Sequence, residues 1–194
     1  MVNLRLIKGA ITKYIRRKPI PFVISDTHFG HGNIIKLCHR PFKFINEMDK
    51  TMEYRWNCVV GKKDTVYFVG DFVKKGSIGY WITHLNGFKI FIWGNHDKYL
   101  KKTIPSKELT YKGLKFYLTH FPENAPTGYD GWVIYGHKHN NNLGLYPFID
   151  GKRKRINVSA EVIDYTPVSL DFLISLNLPS IKYMKTIKSP IYLW

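Results

Sequence analysis

The sequence predicts an α/β (α+β) fold in one main domain, with helices packed outside a mixed sheet or two packed sheets. Three observations carry that expectation. Short apolar runs of strand length recur along the chain; the early ones alternate with helical patterns, and the later ones face each other across turn dipeptides. A length of 194 residues, 44% hydrophobic and 15% aromatic, suffices for a buried core and excludes a disordered chain.

Residues 1–19 read as a basic N-terminal extension, and 20–194 as a single domain. In the extension Leu4, Ile7, Ile11, Tyr14 and Ile15 share one helical face. Arg5, Lys8, Lys13, Arg16, Arg17 and Lys18 lie mostly opposite, with no acid, and Lys18-Pro19 ends the pattern. The expected role is docking on the chain's own domain; a membrane surface or nucleic acid is the alternative.

Pro21 to Ser25 reads as a buried strand that delivers Asp26 at its C-terminal end. Ile34 to His39 reads as a short helix stopped by Pro41. Asn46, with Asp49 three residues later, resembles a helix start; that helix runs to about Val60, with Gly61 at C′. Thr65 to Val69 is the next strand, followed by helix from Ile78 to Leu85 and a buried strand from Phe88 to Trp93. Leu109 to Tyr111 and Leu114 to Thr119 flank Lys112-Gly113, a hairpin signal. Trp132 to Tyr135 is a core strand. Leu143 to Ile149 and Arg153 to Val158 flank Asp150-Gly151 as a second hairpin, and Val168 to Ile174 reads as a last long strand.

The formal charge of +16 and the pI near 9.8 attract phosphate-bearing polyanions without choosing between nucleic acid, nucleotide and anionic lipid. No apolar stretch is long enough to span a membrane, and the N-terminus lacks the pattern of a secretory signal. Cys38 and Cys58 have no metal-motif spacing and read as small buried thiols in a reducing compartment. The expected location is the cytoplasm. Oligomeric state is not legible.

Seven oxygen and imidazole side chains stand where apolar runs end: Asp26, His28, Asp71, Asn95, His120, His137 and His139. In α/β sheets, ligands gather beyond the carboxyl ends of strands, where loops converge. This donor set suits a hard or borderline divalent cation. Seven donors are too many for one ion and suit two that share a carboxylate.

The segments SDTHFGH, GDF, GNHD, TH and GHKH, in this order, closely resemble the calcineurin-like metallophosphoesterases over about residues 20–175. SDTHFGHGNII and NVSAEVIDYTPVSL resemble the small bacterial and phage-type members. The resemblance implies a four-layer α/β/β/α sandwich of two mixed β-sheets flanked by helices, the metallophosphoesterase fold. It implies two divalent metal ions at the strand ends, manganese first, with iron, zinc, nickel or cobalt as alternatives. By it, Asp26, His28 and His139 hold one ion, Asn95, His120 and His137 the other, and Asp71 bridges them. His96 matches the family's leaving-group acid, with Asp97 to orient it. The implied reaction is attack by metal-activated hydroxide on phosphorus.

Asn95, His31, Arg153 and Arg155 are the candidate substrate contacts, the two arginines because their basic hairpin follows GHKH. His39 and His84 are expected to be structural or at the surface, and Lys138 to point away from the metals. Lys74 and Lys75 follow GDF where larger relatives keep an acid and an arginine, which disfavours a protein-phosphatase-like phosphate clamp. The expected function is a binuclear phosphohydrolase, acting on phosphodiesters. A metal-dependent nuclease is the first alternative, favoured by charge; a catalytically inert metal-binding scaffold is the second.

Overall fold

The computed structural model describes residues 18–73 and 78–188. The N-terminal amphipathic pattern and Lys74 and Lys75 lie outside them. Two mixed sheets form the frame. In the first, β1 (Pro21–Ile24), β2 (Thr65–Val69), β3 (Phe88–Ile92) and β4 (Thr103–Ile104) run parallel, and β10 (Val168–Ser169) joins antiparallel to β1. In the second, β6 (Leu114–Thr119), β7 (Trp132–Tyr135) and β9 (Arg155–Asn157) run parallel. β5 (Ser106–Tyr111) and β8 (Ile149–Asp150) pair antiparallel at either side, and β11 (Tyr183–Met184) extends the sheet beyond β8.

The helices follow from the parallel connections, which need a crossover. α1 (Asn33–Leu37) and α2 (Ile45–Val59) link β1 to β2, α3 (Ile78–His84) links β2 to β3, and α4 (Leu170–Ser175) follows β10. Among the described residues, every α-helix therefore belongs to the first sheet. The crossing from β6 to β7 carries one 3₁₀ turn, Pro122–Asn124. α2 buries Met48, Met52 and Trp56, spaced four apart on one face, against the sheet.

One contiguous core joins the sheets, with Phe22, Ile24, Phe68 and Ile92 from the first and Phe116, Leu118, Ile134 and Ile156 from the second. The sheets meet at a parallel bridge between Ser25 and Ser159. There Ser25 N–H donates to Val158 O at 2.9 Å, and Ala160 N–H to Ser25 O at 3.1 Å. This junction places the end of β1 beside the loops that follow β7 and β9.

Several expected elements differ. The last strand stops at Ser169, because Ser169 Oγ accepts the Phe172 N–H at 3.0 Å and starts α4 in place of an extended run. Leu143 to Phe148 is a turn: Asn142 Oδ1 accepts the Gly144 and Leu145 amides and curls the chain before β8. α2 begins after Phe44 with no side-chain cap, while Asp49 is buried and accepts from the Gly30 amide. At its other end Val60 leaves in extended conformation, and Gly61 N–H donates to Asp64 Oδ2 at 2.8 Å, so no left-handed C′ glycine is needed. β3 is fully buried only at Ile92. Its Lys89 turns back to donate to the Ile82, Leu85 and Gly87 carbonyls at the end of α3. Cys38 is buried, but Cys58 is exposed.

Candidate metal centre

The strand ends converge because their loops stay hydrogen-bonded past the sheet. Asp26 N–H donates to Gly70 O, His28 N–H to Asp71 O and Phe29 N–H to Phe72 O, at 2.9, 3.1 and 3.0 Å. Asp26, His28, Asp71, His137 and His139 all have positive φ, between 46° and 68°. Left-handed backbone is costly for residues with a Cβ, and its concentration here marks a strained, over-determined site.

Glycines make the crowding tolerable, for two separate reasons. Gly70, at φ 90°, turns in the left-handed region, and a Cβ there would fall on the His120 ring. At Gly94 the requirement is space: a Cβ would meet the Asp71 carboxylate. At Gly136 it would meet Ser25 Oγ and the Asp26 carboxylate.

Of the three groups of donor atoms among the described residues, two are made wholly of expected ligands, and the third joins His139 to Cys38 and Glu161. Asp26, His28 and His139 each offer one within 4.8 Å of the others, and so do Asp71, His120 and His137. The Asp71 carboxylate lies between the groups. Its Oδ2 is 3.6 Å from His28 Nε2 and 3.4 Å from His120 Nε2. Asn95 completes the second side, with Oδ1 3.3 Å from His120 Nε2.

Neighbouring groups aim these rings. His120 Nδ1 is 2.8 Å from Val69 O, which holds that proton on Nδ1 and leaves Nε2 facing the cluster. His139 Nδ1 lies 3.1 Å from Glu161 Oε1, and its Nε2 faces Asp26 Oδ1 at 3.6 Å. Asp26 is itself held by Ser25 Oγ–H at 2.6 Å and by the His137 amide at 3.0 Å. His28 Nε2 is buried without a hydrogen-bond partner. A buried imidazole nitrogen left unpaired beside two carboxylates is what a cation site requires, so the residues fit divalent ions.

The electrostatics agree with a site built for positive charge. Burial lowers His28 to about 4, so its ring is neutral and its lone pair free. Burial opposes protonation of His120 too, but the Asp71 hydrogen bond and the Asp26 and Asp71 charges outweigh it and raise His120 to about 9. His139 is raised to about 11 against its burial by Asp26, with hydrogen bonds to Cys38 and Glu161. Asp71 is held at about 2, burial being outweighed by its bond to His120. Two imidazoles thus hold protons where cations would sit.

Other expected residues divide. His31 and His96 stand over the cluster, their ring centroids 5.6 and 5.2 Å from that of His28. The His96 amide donates to Asp71 Oδ1 at 2.9 Å, and its side chain faces solvent. Asp97 has a different task from orienting the His96 ring. Its carboxylate accepts the Asp71, Phe72 and Gly94 amides at 2.8, 2.9 and 3.0 Å, clamping together the turns that carry Asp71 and Asn95. Arg153 and Arg155 are not brought to the site. Their turn enters β9 at the end opposite the Ser159 junction, and Arg153 instead pairs with Asp150 and the Leu145 carbonyl. Lys138 turns to Glu123 at 2.6 Å. His84 is exposed on α3, its Nδ1 2.8 Å from Tyr80 O, and His39 is exposed.

The residues missed in the sequence are Glu161 and Arg40. The Arg40 guanidinium is fully buried; it donates to the Asp26 and Thr27 carbonyls at 2.6 and 2.8 Å and pairs with Glu161 Oε1 at 2.6 Å. Glu161 is held at about 2, burial being outweighed by Arg40 and His139. A signal existed: Glu161 interrupts the apolar run Val158 to Ile163, where a lone acid needs a partner.

Comparison with known proteins places this geometry in a family. The calcineurin-like phosphoesterase family matches residues 22–179, and the chain belongs to it. An uncharacterized protein of Methanocaldococcus jannaschii is 50% identical over 160 residues, covering 80% of this chain and 89% of that protein. The Gene 66 protein of Mycobacterium phage L5 is 36% identical over 78 residues, 38% of this chain and 37% of that protein. Among solved structures, a protein of unknown function from Aquifex aeolicus superposes with a TM-score of 0.62 at 25% identity, covering 82% of this chain and all of the other. The architecture of two mixed sheets with few helices is the fold the family resemblance implied. No helix among the described residues is long and apolar enough to cross a membrane.

Proposed function

We propose that the chain is a binuclear metal-dependent phosphodiesterase. The observation that carries this reading is the Asp71 carboxylate, within 3.6 Å of an imidazole nitrogen from each of two three-residue donor groups. Asp26, His28 and His139 would hold one cation, Asn95, His120 and His137 the other, and Asp71 would serve both. Manganese is the first choice of metal. When bound, such a pair of cations supplies Lewis acidity to the phosphoryl group and a water of lowered pKa.

The chain's own residues do the rest. The Asp97 clamp fixes the distance between the Asp71 and Asn95 turns, and Asp71 Oδ1 fixes the His96 backbone. His96, exposed above His28, gives a proton to the departing ester oxygen. An alkoxide is a poor leaving group, and a proton donor on the open side of the site is what a diester demands. His31 and Asn95 flank the phosphate position and orient it.

A nuclease is the second reading, supported by the net charge of +16. An inert scaffold would have no use for His96 above a complete donor set. One panel tests all three readings: metal-free protein reloaded with manganese, nickel, zinc or iron, assayed on a monoester, a diester, cyclic nucleotides and oligonucleotides. Turnover of the small diester supports the proposal. Cleavage of oligonucleotides alone makes the chain a nuclease, and inertness on every substrate makes it a scaffold.

A further inference from the structure

The cleft over the donor groups has two compartments that meet at His28, His31, Asn95 and His96. The smaller, about 390 Å³, contains the Asp71, His137 and His139 side chains. The larger, about 850 Å³, extends away from the donors and is walled by Val73, Trp93, Lys98 and Tyr99. A phosphoryl group needs none of this second space. Its volume is that of a site for a ligand of nucleotide or drug size, roughly 300–1,000 Å³.

The wall chemistry is specific. Trp93 is 43% exposed and Tyr99 54% exposed, and both rings line the larger compartment. Lys98 is exposed beside Tyr99. All three lie on the same short segment as Asn95 and His96, so the turn that presents the proton donor also presents the aromatic wall. Aromatic faces with an adjacent cation bind a base that is attached to a phosphate. The net charge of +16 favours the same anionic ligands.

We infer that the larger compartment receives a nucleobase, and that the substrate is a small nucleotide diester whose phosphate sits where the two compartments join. This rests on the phosphodiesterase reading above. One nucleoside arm stacks on Trp93 and Tyr99 with Lys98 near its phosphate. The other arm extends past the donor groups into the smaller compartment.

The test uses manganese-loaded full-length protein and two diesters that differ only in the bases, thymidylyl-thymidine and its analogue lacking both. Binding of thymidine 5′-monophosphate and of deoxyribose 5-phosphate is measured by calorimetry alongside. The expected kcat/KM ratio favours the dinucleotide about tenfold or more, equivalent to about 1.4 kcal/mol. Trp93→Ala and Tyr99→Ala should bring that ratio towards one through KM, and Trp93→Phe should keep it. A ratio near one in the wild type overturns base recognition and leaves diester hydrolysis standing. A high ratio that survives Trp93→Ala overturns the assignment to this wall. If neither diester is turned over, yet the nucleotide binds about tenfold tighter than the sugar phosphate in a Trp93-dependent way, the base site stands and the phosphodiesterase reading falls. With neither turnover nor that preference, both fall. Faster cleavage of duplex DNA than of the dinucleotide overturns the small-diester assignment.

Discussion

His139 Nδ1 lies 3.1 Å from Glu161 Oε1, and that same oxygen is 2.6 Å from the Arg40 guanidinium. The candidate ligand His139 is therefore aimed by an acid whose charge is held in place by a buried cation. Arg40 in turn reaches the carbonyls of Asp26 and Thr27. One network thus supports both His139 and the Asp26 turn. Glu161→Gln keeps the volume and removes the charge, and should lower metal affinity about 10–100-fold, read by equilibrium dialysis. Glu161→Ala leaves Arg40 buried and unpaired and should also cost about 3–5 kcal/mol of stability.

The glycine before Asn95 is a second point of leverage. Gly94→Ala drives a methyl group into the Asp71 carboxylate and should destabilise the fold by about 1–3 kcal/mol while disrupting metal binding. Gly79→Ala is the control. It lies on an exposed face of α3 with nothing within 4 Å of its Cβ, and should stabilise by up to about 1 kcal/mol. Thermal melts of the two variants should move in opposite directions.

Proton release gives a pH test. His120 at about 9 and His139 at about 11 carry protons at pH 7.5, and a cation taking their Nε2 atoms must displace them. Metal titration in weak buffer at that pH should release about two protons per chain. Both values lie above the ordinary 6.5, so their stabilising contribution is complete below pH 6.5 and is lost as pH rises through 9 and then 11. His28, lowered to about 4, acts with the opposite sign between pH 4 and 6.5. The metal-free protein should melt lower as pH rises above neutral, and the metal-loaded protein should not.

Asn95 and His96 are adjacent and separable. Asn95→Ala should lose turnover and weaken one of the two metal sites. His96→Ala should lose about 10²–10⁴ in turnover of a diester with an alkoxide leaving group, with metal affinity retained. Full activity of metal-loaded His96→Ala would remove its role as acid.

Much of this was legible because the parallel strands end in their chemistry. Thr65 to Val69 and Trp132 to Tyr135 have the expected bounds, since continuous apolar runs flanked by Gly-Asp and Gly-His leave little choice. The run Val168 to Ile174 misled because its apolar periodicity fits a strand or a helix, and a single Ser169 cap decided the matter. Arg153 and Arg155 follow GHKH closely in sequence, but the parallel pairing of β7 with β9 turns their hairpin away from it. Asp97 was placed beside His96 by adjacency, whereas two of the three amides its carboxylate accepts lie 25 and 26 residues earlier and the third is that of Gly94. Partners that far apart in the chain leave no local pattern to read.

In the proposed centre Asp71 joins two ions in one site. Calorimetric titration of the metal-free protein with manganese, with diester turnover followed at each point, tests it most directly. Wild-type protein should bind two ions per chain, with turnover rising only as the second is filled. Asp71→Ala should lose tight binding of both ions and turnover with them. One ion per chain at full activity, or an active Asp71→Ala that still binds two, would contradict the account.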